Sequence, residues 1–353
     1  MIYLLLLAGI FMGWSLGTND AANAFGTAVA TGVIKYRTSI IIISILILVG
    51  AFFFGANNIG ELSSLAENNE VLSTTVEAEL AKEEGELESM RLKSALKAFI
   101  VFACAGLTVF IMSYLKFPVS ANQSIVGAVI GWGLFHADYG NAAIRNANIY
   151  QLLKFASTWL LCPLGAAIIS FILVFFVSKF LEKRLTTLNS YDTLIKAGYL
   201  IAGAFASFSI GLNSSASVTA FYYDHTGLGA NLMSSAQWTA VIGGISIALG
   251  VLTFSKRVMM TVGSSIADIS QIDGFVVIIA MSLTIILMGD LMGIPVSTSQ
   301  AVVGAVVGAG VVKGVRNVRF GVFKNIAIAW VSSPTVAGLL AYLVALATQN
   351  YFA

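Results

Sequence analysis

Pro118-Val-Ser-Ala-Asn-Gln-Ser-Ile-Val-Gly-Ala-Val-Ile-Gly131 returns later in the chain as Pro295-Val-Ser-Thr-Ser-Gln-Ala-Val-Val-Gly-Ala-Val-Val-Gly308. Such self-similarity marks an internal duplication and constrains the fold before any other feature. Two further blocks recur in the same order. Ser15-Leu-Gly-Thr-Asn19 is echoed upstream of the second copy by Ser209-Ile-Gly-Leu-Asn213, and Trp159-Leu-Leu-Cys-Pro163 is matched downstream by Trp330-Val-Ser-Ser-Pro334 in its Trp and Pro. Three blocks in one order divide the chain into halves at 1–188 and 189–353.

Composition names the solvent of both halves. Of 353 residues 58% are hydrophobic and 10% charged, and the mean hydropathy is +0.89. A water-soluble domain carries about 25% charged residues, so this chain could not coat a globule in polar surface. Lipid must be its main solvent. The net charge of +2 gives no basic patch for nucleic acid. Cys104 and Cys162 lie inside apolar runs, where free cysteine behaves as a small hydrophobe; neither a disulfide framework nor a metal spacing is present. Residues 1–16 have the hydrophobicity of a signal peptide but no basic n-region and no clear cleavage site, and the apolar stretch continues past them. They read as a first spanning segment.

A spanning helix needs about 20 mainly apolar residues. Candidate spans are 1–32, 38–58, 96–115, 118–137, 150–178, 191–222, 236–254, 275–293, 295–312 and 325–348. The segments 1–32, 150–178 and 191–222 exceed one bilayer thickness and contain polar or Pro/Gly breaks, so they are candidates for broken or re-entrant helices. Basic residues gather in alternate connections: Lys35 and Arg37; Lys179, Lys183 and Arg184; Lys256 and Arg257; Lys313, Arg316, Arg319 and Lys324. Ten crossings put all four clusters on one side, the cytoplasmic one by the positive-inside rule. Each half then holds five crossings, and an odd number turns the second half upside down. The predicted fold is an all-α polytopic membrane protein of two inverted repeats, the architecture of secondary transporters with a site where the repeats meet.

The connection 59–95 stands apart. It carries nine of the seventeen acidic residues, from Glu61 to Glu88, and Ser73–Leu96 has helical spacing of Leu, Val and Met. An exposed amphipathic helix is the expectation there.

Two kinds of segment conflict with an apolar surrounding. Gly17-Thr-Asn-Asp-Ala-Ala-Asn-Ala-Phe-Gly26 lies midway through an apolar run, where a carboxylate and two carboxamides are costly. Asn19 and Asn23 share a helix face, and Thr18, Asn19, Asp20 and Asn23 offer oxygens suited to a hard cation such as sodium. A hydrogen-bonded cluster that glues helices together is the alternative. The Pro-Val-Ser segments are the second kind. Proline suits the first turn of a helix and Ser or Thr caps its free N–H groups, so a half-helix beginning there would aim its positive end into a cavity and bind an anion. Ser120, Asn122, Gln123 and Ser124, with Ser297, Thr298, Ser299 and Gln300, add neutral donors. No Lys or Arg is placed in this polar centre. Asp20 can accept the hydroxyl proton that phosphate keeps near neutral pH and sulfate lacks, which favours phosphate. Asp290 reads equally as a coupling residue or an interfacial cap; His225 reads as solvated and His136 as interfacial.

With these blocks in view the sequence resembles the PiT family of inorganic phosphate transporters, whose hallmark is a Gly-Ala-Asn-Asp-Val-Ala-Asn type block in each half followed by a Pro-Val-Ser-Thr-Thr-His/Gln type block. Gly17-Thr-Asn-Asp-Ala-Ala-Asn23 and both Pro-Val-Ser blocks match it across essentially the whole chain. The resemblance implies a sodium- or proton-coupled phosphate symporter with a central site formed by both repeats, and a homodimer. The second half departs from the pattern: it reads Gly211-Leu-Asn-Ser-Ser-Ala-Ser217, with Ser214 in place of the carboxylate and Ser217 in place of the second Asn. An acidic residue expected in the span at 275–293 is missing from Phe275-Val-Val-Ile-Ile. Fewer anionic ligands would weaken or renumber a cation site and suit a fully ionised anion, so sulfate permeases of the same family are the alternative substrate class.

The functional expectation is alternating access in the cell membrane. Sodium, preferred over proton, is held by Thr18, Asn19, Asp20, Asn23, Asn213 and Ser214. Phosphate docks at Ser120–Ser124 and Ser297–Gln300, with Asp20. A passive anion channel or a receptor-like membrane protein are the readings from other classes. No nucleophile–base pair, metal set or cofactor motif suggests an enzyme.

Overall fold

The computed structural model describes residues 2–58, 66, 84–115, 119–136, 142–180, 187–222, 236–262, 270–292 and 296–352. Among them the chain forms helices and no strand: α1 Ile2–Ala30, α2 Tyr36–Phe54, α3 Glu84–Tyr114, α4 Ala121–His136, α5 Ala142–Phe180, α6 Leu188–Thr219, α7 Ala236–Phe254, α8 Lys256–Val262, α9 Gln271–Met292, α10 Thr298–Val312 and α11 Phe320–Phe352. In lipid the backbone must satisfy its own polar groups, which leaves helix as the form for such apolar runs. Seven helices among the described residues are long and apolar enough to cross a membrane, and α1 has the length as well. The protein is an integral, multi-pass membrane protein. Its outward faces agree: Ile45, Phe53, Ile168, Ile201 and Leu343 are each more than half exposed, which water would penalise and acyl chains do not.

Three expected interruptions are not there. α1, α5 and α6 run as single helices through the segments 1–32, 150–178 and 191–222. The polar block of α1 therefore keeps its backbone hydrogen bonds and differs from its surroundings only in its side chains. Pro163 and Pro334 lie inside α5 and α11, each removing one helical hydrogen bond without ending the helix. The short elements are α4 and α10, of 16 and 15 residues. At 1.5 Å per residue they span about 24 and 22 Å, less than the ~30 Å of a hydrocarbon core. Neither crosses it alone. Of the acidic connection, residues 84–95 form the first turns of α3; residues 59–83 apart from Ala66 lie outside the described residues, as do Pro118, Pro295, His225 and the side chains of Asp290 and His136.

Packing exchanges elements between the halves. A β-carbon on Gly127 of α4 would meet the backbone of Pro334 in α11, and one on Gly131 the backbone of Gly338. The same crossing occurs where Gly304 and Gly308 of α10 meet Pro163 and Ala167 of α5. Gly17 of α1 lies against the carbonyl of Ile247 in α7, and Gly211 of α6 against that of Ile47 in α2. Small residues at such crossings let helix backbones approach, which is how helices bind each other in lipid. Every one of these contacts has a partner with the halves interchanged. α9 runs through the interior, with 72% of its apolar window buried, while α5 is peripheral at 22%. Lys256 lies 5.7 Å from the Tyr36 ring centroid, so the basic connections at 35–37 and 256–257 share one end of the molecule.

Candidate functional site

The half-helices begin at serine caps. Ser297 is extended and its hydroxyl accepts from the Gln300 N–H at 3.2 Å; Ser120 accepts from the Gln123 N–H at 3.3 Å. The two lead-ins brace each other. Asn122 Nδ2 donates to the Val296 carbonyl at 3.1 Å, and Ser299 Oγ donates to the Val119 carbonyl at 2.9 Å. Each first-turn side chain thus holds the residue that precedes the other helix's cap, and both positive helix ends converge on one region. First-turn amides have no partner within their own helix, and each end carries roughly half a positive charge. Such a place suits an oxyanion.

The polar block of α1 lies beside the α10 end. Asn23 Nδ2 is 3.3 Å from Asp20 Oδ1, 3.3 Å from Thr298 Oγ1 and 3.4 Å from Ser299 Oγ, and the Thr298 side chain hydrogen-bonds the Asp20 carboxylate. Asp20, Asn23, Thr298 and Ser299 form one cluster, all of it buried. Thr18 Oγ1 turns back to the Ser15 carbonyl at 2.7 Å and Asn19 Nδ2 reaches Ser113 Oγ on α3 at 2.9 Å, so neither is joined to Asp20 by those bonds. In the second half Asn213 brackets the peptide of Val296: Val296 N–H donates to its Oδ1 at 2.9 Å and its Nδ2 donates to the Val296 carbonyl at 2.8 Å. Asn213 holds the α10 lead-in with both ends of its carboxamide. Its Nδ2 also lies 3.3 Å from Ser214 Oγ. Ser124 Oγ donates to the Ser120 carbonyl at 3.2 Å.

Gln123 and Gln300 stand somewhat apart. Both line a cleft of about 1090 Å³ between α4, α5, α10 and α11, and both Oε1 atoms are buried without a hydrogen-bond partner. The remaining wall is largely apolar, with Trp159, Leu160, Trp330 and Leu339. An anion would gain little there.

Some of the site is silent in the sequence. Val119 and Val296 contribute only backbone. Ser113 is one serine in an apolar run. Cys162, a plain buried hydrophobe by sequence, sets its Sγ 3.5 Å from the Ser297 carbonyl. Among the described residues the buried carboxylate of the second half is Asp273, two residues before the stretch Phe275–Ile279. It accepts from Ser270 Oγ at 2.7 Å and Ser270 N–H at 3.0 Å, the pattern of a capping box, and pairs with Lys313 at the end of α10.

A polytopic helical bundle with two facing half-helix ends and a buried polar cluster defines the class of membrane transporters. The phosphate transporter family model matches residues 16–341. This chain belongs to the phosphate transporter family, a family of transporters and not of enzymes. It is similar to proteins that carry the name phosphate permease: one from Methanocaldococcus jannaschii is 28% identical, covering 97% of this chain and 96% of that protein. One from Pyrococcus furiosus is 26% identical, covering 98% and 95%. Sulfate permease CysP of Bacillus subtilis is 25% identical over 96% of this chain and 85% of that protein. A solved structure titled "The sodium-dependent phosphate transporter" shares the fold with a TM-score of 0.74, at 23% identity, covering 99% of each chain.

Proposed function

We propose that this chain is a cation-coupled phosphate symporter of the cell membrane, driven by sodium and working by alternating access of two inverted repeats. The observation that carries the proposal is the reciprocal brace between Asn122 and Val296 and between Ser299 and Val119, which sets two positive helix ends against one buried carboxylate. Phosphate docks on the ends at Ser120–Ser124 and Ser297–Gln300 through their hydroxyls and first-turn amides, while the side chains of Gln123 and Gln300 line the apolar cleft. The cation sits by Asp20, Asn23, Thr298 and Ser299. Of the other residues expected to hold it, Thr18, Asn19 and Asn213 are turned to Ser15, Ser113 and Val296, and Ser214 lies beside Asn213. A buried anion with no basic side chain beside it is costly, so a bound cation offsets its charge and the two move together. The exchanged packing of the halves supports the repeat: each contact of α1 with α7, or α4 with α11, has its counterpart, and the inversion rests on an odd number of crossings in each half. The family resemblance supports a homodimer.

Uptake of labelled phosphate into proteoliposomes, with and without an inward sodium gradient, at two pH values and with excess sulfate, tests this. Sodium-stimulated uptake that ignores sulfate and is lost in Asp20→Asn is the expected result. Uptake without sodium dependence, unchanged in Asp20→Asn, would overturn it in favour of a channel. Sulfate is a second reading with its own support: Ser214 replaces a carboxylate, leaving the centre less negative, and a named sulfate permease is among the relatives. Block of uptake by sulfate would select it.

A further inference from the structure

The exchanged packing allows the two halves to be compared position by position at the centre. The contacts of Gly17 with Ile247 and of Gly211 with Ile47 align α1 with α6, and the paired crossings of Gly127 and Gly304 align α4 with α10. Asp20 and Asn23 then correspond to Ser214 and Ser217, while Thr298 and Ser299 correspond to Ala121 and Asn122. The first set is a linked cluster: Asn23 spans Asp20, Thr298 and Ser299, and Thr298 bonds the carboxylate. The second set has neither the carboxylate nor the threonine hydroxyl. In their place stand a serine and a methyl group. Ser217 Oγ and Asn122 Oδ1 are buried there without a hydrogen-bond partner. Asn122 Nδ2 is held by the Val296 carbonyl, and the nearby carboxamide of Asn213 is bound at both ends to Val296.

No other described side chain supplies the missing charge. Among the described residues the buried carboxylates are Asp20 and Asp273. Asp273 is held by Ser270 and Lys313 at the start of α9. A hard cation in a dry interior needs several oxygens and, to offset its lost hydration, a negative charge. One half of the centre meets that requirement and the other does not.

We propose that this protein couples each transported anion to a single cation, and that Ser214, Ser217 and Ala121 are the residues that set this number. The unpartnered Ser217 Oγ and Asn122 Oδ1 serve a neutral occupant, a water molecule or the hydroxyl of the anion. The inference rests on the symport reading, and the two fail differently. Labelled sodium and labelled phosphate are counted in the same proteoliposomes, together with the sodium dependence of the uptake rate. The expected result is one sodium per phosphate and a first-order dependence on sodium in the wild type. The triple variant Ser214→Asp, Ser217→Asn, Ala121→Thr rebuilds the absent ligand set and is expected to make the sodium dependence second-order. Two sodium ions per phosphate in the wild type would overturn the inference and leave the symporter standing. Uptake indifferent to sodium would overturn both. The wild-type count decides the number even where the triple variant does not fold, and a folded triple variant that stays first-order in sodium would overturn the assignment to these three residues.

Discussion

Asn213 uses both ends of one carboxamide on the backbone of Val296, a pairing that resembles the exchange of hydrogen bonds between two strands. Its physical effect is to fix the extended residue before the Ser297 cap, and so the direction in which α10 begins. Asn213→Ala would orphan a buried N–H, which costs about 1–3 kcal/mol. The Val296 carbonyl would keep its bond from Asn122. The expected outcome is a loss of about 2 kcal/mol in unfolding free energy with weakened phosphate binding; an unchanged melting curve would show that the lead-in is held by other contacts. This role is not visible in the sequence, where Asn213 reads as a cation ligand by its position in the echo of Ser15–Asn19. Asp20 is the opposite case. A carboxylate midway through an apolar helix is conspicuous in any reading of the chain, and the structure adds only its companions, Thr298 and Ser299.

At the scale of elements, close helix crossings decide the arrangement. Gly304 stands against the Pro163 backbone, which cannot move aside as a flexible side chain could. Gly304→Ala is expected to destabilise by about 1–3 kcal/mol through overpacking and to reduce uptake, because α10 would be displaced from α5. Gly321, in the first turn of α11, faces open space: a β-carbon added there would meet nothing within 4 Å. At that position the same substitution is expected to be neutral or to stabilise by roughly 0.5–1 kcal/mol, since alanine suits a helix better. Thermal unfolding of the two variants in one detergent separates the effects. The glycines of both Pro-Val-Ser blocks are visible in the repeat itself, but not the backbones they meet. That α4 would lie on α11 and α10 on α5 is a relation across the whole chain, which local periodicity does not encode.

For the whole molecule, the pair of Asp273 with Lys313 ties the start of α9 to the far end of α10, so it couples the half-helix to the central helix of its own half. Asp273 is fully buried and Lys313 keeps part of its side chain exposed. Lys313→Met would leave the carboxylate with Ser270 alone. A loss of about 2 kcal/mol is expected, below the figure for a fully buried pair because Lys313 remains partly in contact with solvent. The double variant Asp273→Asn, Lys313→Met is expected to be more stable than the sum of the single changes predicts. Additivity in that cycle would mean the two groups do not interact in solution.

The chain by itself determined its solvent, its helical class, its duplication and the location of its polar blocks. These follow from composition and spacing: hydrophobicity over twenty residues and a repeated block are local properties that the surroundings cannot reverse. Only the tertiary structure decided which polar groups meet. Whether α1, α5 and α6 are continuous also depended on neighbours, since a polar side chain or a proline is tolerated within a helix when adjacent helices supply its partners. The reciprocal brace of Asn122 and Ser299 joins residues 174 and 180 positions from their acceptors. Contacts at that separation arise from folding the two halves together, and the chemistry of the site depends on them.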